Sequence, residues 1–413
     1  MLAPPGRSGI GSSPRASCGF PRFLLRVGTD VARARKRHAG RMDPHVVIAG
    51  GGIGALEGLL ALQKLAVDPL RISVLTATRH LTYRALSVAE PFGGDPAPRY
   101  DWQFIARDRG VSWIPDMLEA VRLEDRELIT RDGPPVHYDA LLLALGAQPR
   151  VAVPGALTFA GPRDVAAVRD ALEALDPGRR HVIAFVAGTG VAWTLPLYEL
   201  ALMTAEYGRR QGLDLRIELV TRESEPLDIF GAEASAAVAG RLAAAGVQLR
   251  AGTFAQEYDD GRLWLELEGP LDVDLAVALP LLEGPAVDGL PVTEGGFIPV
   301  DAYSRVRGVE RVWAAGDMTS RPIKHGGLTA QQADVAAADI AARVAGSSTP
   351  VHPYRPDLRG LLLTGADPVF LERRRGAPSR SEASSEFLWW PAHKVAGRHL
   401  APYLARLGAP LAS

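Results

Sequence analysis

The stretch HVVIAGGGIGALE, His45 to Glu57, decides the fold. It opens with an apolar, β-branched run and passes through glycines into apolar residues at helical spacing (Ile53, Leu56, Leu59, Leu60). Gly50, Gly52 and Ala55 fill the G-x-G-x-x-[GA] pattern. Gly50 permits a sharp strand-to-helix turn, Gly52 lets the backbone approach a pyrophosphate, and Ala55 is small enough for the helix to pack on the strand. The helix then offers N–H groups and the positive end of its dipole to phosphate. The strand before and the helix after supply the context that this motif needs. Gly51 and Gly54 belong to the same loop and join the cofactor-binding candidates. One position departs from the pattern. The next strand, RISVLTA, runs to Thr76 where an acid usually holds a ribose hydroxyl pair. Thr76, or Thr78 beyond it, offers one hydroxyl instead of a carboxylate's two acceptor oxygens.

Working outward, DGPPVHYDALLLALGA carries a DG turn and a buried strand that ends at Gly146. The scheme then restarts with strand HVIAFVAG, helix LPLYELALMTAEYGRR and strand LRIELVT. A β-rich stretch follows, with a DDG turn at Asp259–Gly261. GFIPVD and ERVWAAGDMT read as further strands, and LTAQQADVAAADIAARVAG as an alanine-rich helix. From Ser347 the chain reads as irregular and aromatic, ending WWPAHKVAGRHLAPYL. The duplication suggests one nucleotide-type domain inserted in another.

The second glycine loop, FVAGTGVAWTLPLYELAL, has Gly188 and Gly190 at the right spacing but Trp193 where the third small residue belongs. Pro196 suits a first helical turn, so the helix is expected to start later than in a working loop. The following strand ends at Thr221 and Arg222, with Glu223 beyond; Arg222 could meet a 2′-phosphate or simply be surface charge. The expectation is a degraded nicotinamide site, with NAD(P) use left open.

RVWAAGDMTSRPIKHGGLTAQQAD is the most telling remaining stretch. An apolar strand ends in Gly316–Asp317, whose acid can accept bonds from polyol hydroxyls, and a loop leads to a helix expected near Leu328. Such a helix end stabilises developing negative charge. The pairing of GGGIGA with this GD motif resembles the FAD-dependent pyridine nucleotide–disulfide oxidoreductase superfamily. WTLPLYELALMTA, RPIKHGGLTAQQAD and the terminal WWPAHKVAGRHLAPYL look like its sulfide:quinone oxidoreductase branch, with type II NADH dehydrogenases as neighbours.

The resemblance implies an α/β fold of two Rossmann-like domains, the second inserted in the first in glutathione-reductase-like fashion, plus a small C-terminal segment. The expected division is a tail at 1–41, an FAD domain at 42–155 and 283–346, an NAD(P)-like domain at 156–282, and a C-terminal segment at 347–413. It implies FAD as cofactor, with Gly50 and Gly52 at the pyrophosphate and Gly316 and Asp317 at the ribityl-phosphate. Gly146, Thr76, Gly327 and Leu328 complete the cofactor set. Lys324, beside the isoalloxazine, and His325, as a proton relay, are the catalytic candidates; each has a plainer reading as a solvated loop residue.

The chain departs from that branch in one chemical respect. Sulfide oxidation there needs cysteines, since the thiolate is the nucleophile. The only cysteine of the 413 residues is Cys18, so no dithiol pair or cysteine-based zinc site can form. The histidines show no ligand spacing, and no metal is expected. A net charge of −1 provides no field to attract nucleic acid. Four lysines (Lys36, Lys64, Lys324, Lys394) stand against 42 arginines, and that scarcity marks each lysine as a candidate for a specific role. Residues 1–41, with nine basic residues and one acid, read as a flexible tail or, alternatively, a targeting peptide. No apolar run is long enough to span a membrane. FLWWP and VAGRHLAPYLARL read as an element packed on the core, with a quinone pocket or a membrane surface as the alternative.

The expected function is an FAD-dependent oxidoreductase carrying electrons from a small donor to a quinone-like or other small acceptor, without a cysteine relay. The alternatives are an NAD(P)H:acceptor reductase and, in another class, a non-catalytic flavin-binding sensor or scaffold. A cytoplasmic location, with the inner membrane face as a variant, and a homodimer complete the expectations.

Overall fold

The computed structural model describes residues 43–376 and 380–408. The basic stretch 1–41, with Cys18, lies outside the described residues.

Two parallel sheets of five strands organise the chain. The first is built from β1 (His45–Ala49), β2 (Arg71–Leu75), β3 (Ser112–Ile114) and β4 (Ala140–Leu143). The second holds β5 (Leu157–Thr158), β6 (Arg180–Val186), β7 (Asp214–Thr221), β8 (Val247–Ala251) and β9 (Leu275–Ala278). The chain then returns to the first sheet as β10 (Val312–Ala314). The strand orders are β10-β4-β1-β2-β3 and β5-β9-β6-β7-β8, the same arrangement twice. Every strand of the second sheet therefore lies in sequence between β4 and β10 of the first. The doubled α/β fold read from the glycine loops is thus what the chain adopts.

Burial explains the strands. All five β1 residues and all four β4 residues are buried, as in a parallel sheet covered on both faces. On the first sheet the cover comes from α1 (Ile53–Leu65), α2 (Trp102–Arg109) and a later helix, α6 (Gly326–Val344). On the second it includes α3 (Val165–Glu173), α4 (Leu195–Gln211) and α5 (Ala232–Ala244). Asp101 caps α2 by accepting from the backbone N–H groups of Gln103 (2.6 Å) and Phe104 (3.2 Å). The DDG turn closes a hairpin in which Asp259 faces Arg262, with Asp260 and Gly261 both at positive φ.

Three sequence expectations change. GFIPVD forms only isolated bridges, Ile298 to Thr319 and Val300 to Val306. The helix expected near Leu328 begins two residues earlier, at Gly326. The segment after Ser347 is not irregular throughout. It folds into an antiparallel sheet of β11 (Leu358–Leu362), β12 (Val369–Arg374) and β13 (Arg380–Ser384), then a short helix α7 (Leu400–Arg406). Among the described residues, no helix is long and apolar enough to cross a membrane. The apolar residues of α7, Leu400, Ala401, Tyr403 and Leu404, are spent on packing against the first sheet's core.

A buried acid anchors this C-terminal arm. Glu57, on α1, is fully buried and accepts from the backbone N–H groups of His399 (2.8 Å) and Leu400 (2.5 Å). A Cβ on Gly397 would stand 2.9 Å from Glu57 Oε2, so only glycine admits this approach. Asp334 of α6 and His399 lie against Glu57, with ligand atoms within 4.8 Å of one another. Burial raises both carboxyl groups above the usual range, and the neighbouring Glu57 raises Asp334 further. The two acids share a proton. The folded chain holds it more tightly than the unfolded chain, so stability falls as pH climbs from about 4, the free-carboxyl value, into the alkaline range. Asp334→Asn keeps a donor toward Glu57 and removes the titration. It is expected to raise stability by on the order of 1 kcal/mol at pH 8 and by less at pH 5, read from thermal melts at both pH values.

Candidate active site

The ends of β1, β2, β4 and β10 converge on one cavity of ≈ 630 Å³. Its wall includes Gly50, Gly51, Gly52 and Gly54 from the first glycine loop, with Thr76 and Gly146 beside them. Gly316, Asp317, Lys324 and His325 line the same cavity. Two of the expected residues do not. Leu328 is 3% exposed and packs in the apolar core, and a Cβ on Gly327 would meet the His325 ring at 2.9 Å. Because α6 starts at Gly326, its first turn puts Gly326 and Thr329 on the cavity instead.

The first glycine loop is shaped by close approach. At Gly50, with φ +133°, a Cβ would sit 2.1 Å from the carbonyl oxygen of Ala144. At Gly51 it would sit 2.4 Å from Thr76 Oγ1. At Gly52 it would meet nothing within 4 Å. Gly52 is thus glycine for what approaches from the open side, and it stands at the start of α1, where no side chain caps the helix. Trp102 holds the loop by donating from Nε1 to the Gly51 carbonyl (3.1 Å). Thr76 and Thr78 share a hydroxyl hydrogen bond of 3.0 Å and bring no carboxylate to this side.

At the other motif, Trp313 of β10 donates from Nε1 to Asp339 of α6 (2.9 Å), and Arg305 forks the same carboxylate with two contacts of 2.6 Å. This fixes the strand end that delivers Gly316 and Asp317. Asp317 Oδ1 is shut off from solvent and has no hydrogen-bond partner. Burial raises its carboxyl above the usual value, against the pull of Lys324 and Arg84. An orphaned acceptor is costly unless a ligand hydroxyl satisfies it. With the open face of Gly52 in the same cavity, the residues present fit a dinucleotide with a polyol arm.

Lys324 is not a solvated loop lysine. It is 8% exposed, donates to the carbonyl of Thr319 and sits 3.8 Å over the ring of Phe297. Burial lowers its pKa to about 8, with Asp317 opposing. His325 is not an exposed relay either. Burial, then Lys394, lowers its pKa to about 3, so the imidazole is neutral near pH 7 and carries no proton to hand on. Its ring packs 4.5 Å from that of Trp193.

Two functional groups escaped the sequence reading. Glu199 of α4 and Lys394 of the C-terminal arm form a buried ion pair on the cavity wall. Glu199 also accepts from the backbone N–H of Leu363 (2.9 Å), and Lys394 donates to the Leu361 carbonyl (3.1 Å). Burial disfavours both charges, raising Glu199 and lowering Lys394, while proximity favours them. The pair holds one exchangeable proton. Lysine scarcity was the signal for Lys394; nothing in LYELAL separates Glu199 from a helix-surface acid.

The family model for pyridine nucleotide-disulphide oxidoreductase matches residues 44–339. The chain belongs to that family. It is a flavin-dependent oxidoreductase. An alternative NAD(P)H-ubiquinone oxidoreductase C1, chloroplastic/mitochondrial, of Arabidopsis thaliana is 28% identical over 383 residues, covering 78% of this chain and 71% of that one. The sulfide:quinone oxidoreductase of Aquifex aeolicus superposes with a TM-score of 0.74 at 17% identity, over 83% of this chain and 87% of that one. A ferredoxin reductase from Rhodopseudomonas palustris superposes at 0.60 with 22% identity, over 80% and 83%. The two structural likenesses establish the family fold.

Asp317→Ala separates ligand binding from folding. Flavin retained through purification is expected to fall at least tenfold, about 1.4 kcal/mol of binding. The flavin-free protein is expected to melt no lower than the parent, because the substitution removes an unpaired buried carboxylate. Absorbance of the purified protein and a melt of the stripped form check the two halves.

Proposed function

We propose that this oxidoreductase binds one FAD in the cavity and uses it to pass electrons from a small donor to a quinone-like acceptor without a cysteine relay. The observation that carries the cofactor reading is the orphaned Asp317 Oδ1 facing the same cavity as the open side of Gly52. Gly50 and Gly52, with the start of α1, hold the pyrophosphate, and Asp317 accepts from the polyol arm. When bound, FAD supplies the two-electron exchange.

The chain's own groups do the rest. Lys324 brings a buried positive charge, which stabilises negative charge developing beside it in a low-dielectric site. Glu199 and Lys394 keep a proton at the wall and deliver it to a reacting oxygen. His325, neutral, and Trp193 keep water from that end. A quinone suits such a site, since its reduction takes up protons as well as electrons. The Arabidopsis and Aquifex proteins, both named as quinone oxidoreductases, support this acceptor class. No cysteine follows Cys18, so the trapping of sulfur by protein thiolates is not part of the reading. The Arabidopsis protein's name favours NAD(P)H as donor, a second reading that turns on the state of the second glycine loop.

Purified protein, reduced anaerobically with dithionite and mixed with a soluble quinone, tests the proposal. Reoxidation within seconds is expected, and no reaction with a panel of quinones would favour a sensor or scaffold. Lys394→Met is expected to slow reoxidation roughly 10- to 100-fold, the range typical of a lost proton donor. Lys324 loses its charge as pH rises through about 8. The reoxidation rate is therefore expected to fall across that range, and Lys324→Arg, permanently charged, to flatten the profile.

A further inference from the structure

We infer that the second nucleotide unit is closed by its own side chains, and that Trp193 is the residue that excludes NAD(P)H from the cavity. The inference rests on the flavin reading above and narrows its donor. Three independent features of a working dinucleotide site are each taken up internally.

The first is the helix start. In the first unit α1 begins at Ile53, the residue after Gly52. In the second, α4 begins at Leu195, five residues after Gly190, with Pro196 in its first turn. The N–H groups that would meet a pyrophosphate are set back by four residues, roughly 6 Å along a helix. The second is the end of β7. Glu223 occupies the place of the ribose acid, but its carboxylate already accepts from Thr194 Oγ1 (2.8 Å), Tyr198 Oη (2.7 Å) and Thr221 Oγ1 (3.1 Å). Two of those three donors come from the loop and helix that would have to receive the cofactor. Arg222, the one group suited to a 2′-phosphate, stacks its guanidinium 5.1 Å over Phe254.

The third is Trp193 itself. The matching position in the first unit is Ala55, fully buried inside α1. Trp193 instead stands outside α4, its ring 5.9 Å from Phe230 and 4.5 Å from His325. It lines the same cavity as the first glycine loop. A flat aromatic ring thus fills the end of the second glycine loop where it opens on the flavin cavity. A nicotinamide would have to displace it, together with the Tyr198–Glu223 bond behind it. Donor and acceptor must then share one entrance and alternate.

The test uses the full chain with FAD bound, mixed anaerobically with NADH or NADPH. The parent protein is expected to keep its flavin colour for minutes with either nucleotide, though dithionite bleaches it. Trp193→Gly combined with Tyr198→Phe is expected to bleach with NADH at least tenfold faster than the parent. Rapid bleaching of the parent, or a folded FAD-bearing variant no faster than the parent, overturns the inference. Trp193→Ser alone, judged by the same rate, serves if the double variant does not fold. Titrating the parent with NADH and following the nucleotide's own fluorescence needs no flavin. Saturable binding in the micromolar range overturns the inference, and no binding supports it. A parent that takes up no FAD overturns the flavin reading instead, and the titration still decides the state of the second unit.

Discussion

Two strand ends can share a cofactor only where no side chain stands between backbone and ligand. That constraint acts first at Gly50, where even a methyl group would collide with the Ala144 carbonyl. The contact joins the tips of β1 and β4 and turns the chain so that Gly52 faces open space. The rest of the site is arranged around it. Trp102 braces the loop, the Trp313–Asp339–Arg305 cluster fixes β10, and the C-terminal arm is tied to α1 through Glu57. An arm folded far from the loop in sequence is held by the helix that the loop begins, and that arm carries Lys394 into the cavity.

The two sheets have the same strand order but opposite fates. In the first unit polar atoms remain unsatisfied and space stays open, the condition of a site that waits for a ligand. In the second the corresponding groups have found partners within the chain. Thr194, Tyr198 and Thr221 satisfy Glu223, and Phe254 receives Arg222. The contrast is a physical measure of retained against lost binding, and it needs no ligand to be seen. It also explains why a glycine pattern alone is a poor guide, since Gly188 and Gly190 keep their spacing after the surroundings have changed.

Much of this was legible in the sequence. The strands β1, β4, β6 and β7 are apolar runs long enough to be read directly, and glycine spacing marked where they end. The GD motif located Asp317, and Trp193 signalled a fault in the second loop. What escaped depends on long-range packing. Lys324 and His325 look like loop residues until their burial is known. Glu199 and Lys394 are far apart in sequence and meet only because the arm crosses α4. The sheet of β11 to β13 was hidden because its strands are short and carry charged residues, such as Glu372, that arginines neutralise. Leu328 was misassigned by two residues of helix register, enough to turn it from the cavity into the core.

The return of the chain as β10 has a kinetic meaning. The first sheet lacks an edge strand until Val312 pairs with Leu141, after the whole second sheet has been threaded. Its nucleus is therefore non-local, and closing that long loop is slow. The second sheet is continuous in sequence and can condense first, serving as a platform on which the first is completed. Mutations in β6 or β7 would then be felt as slower maturation of a pocket to which they contribute no atom.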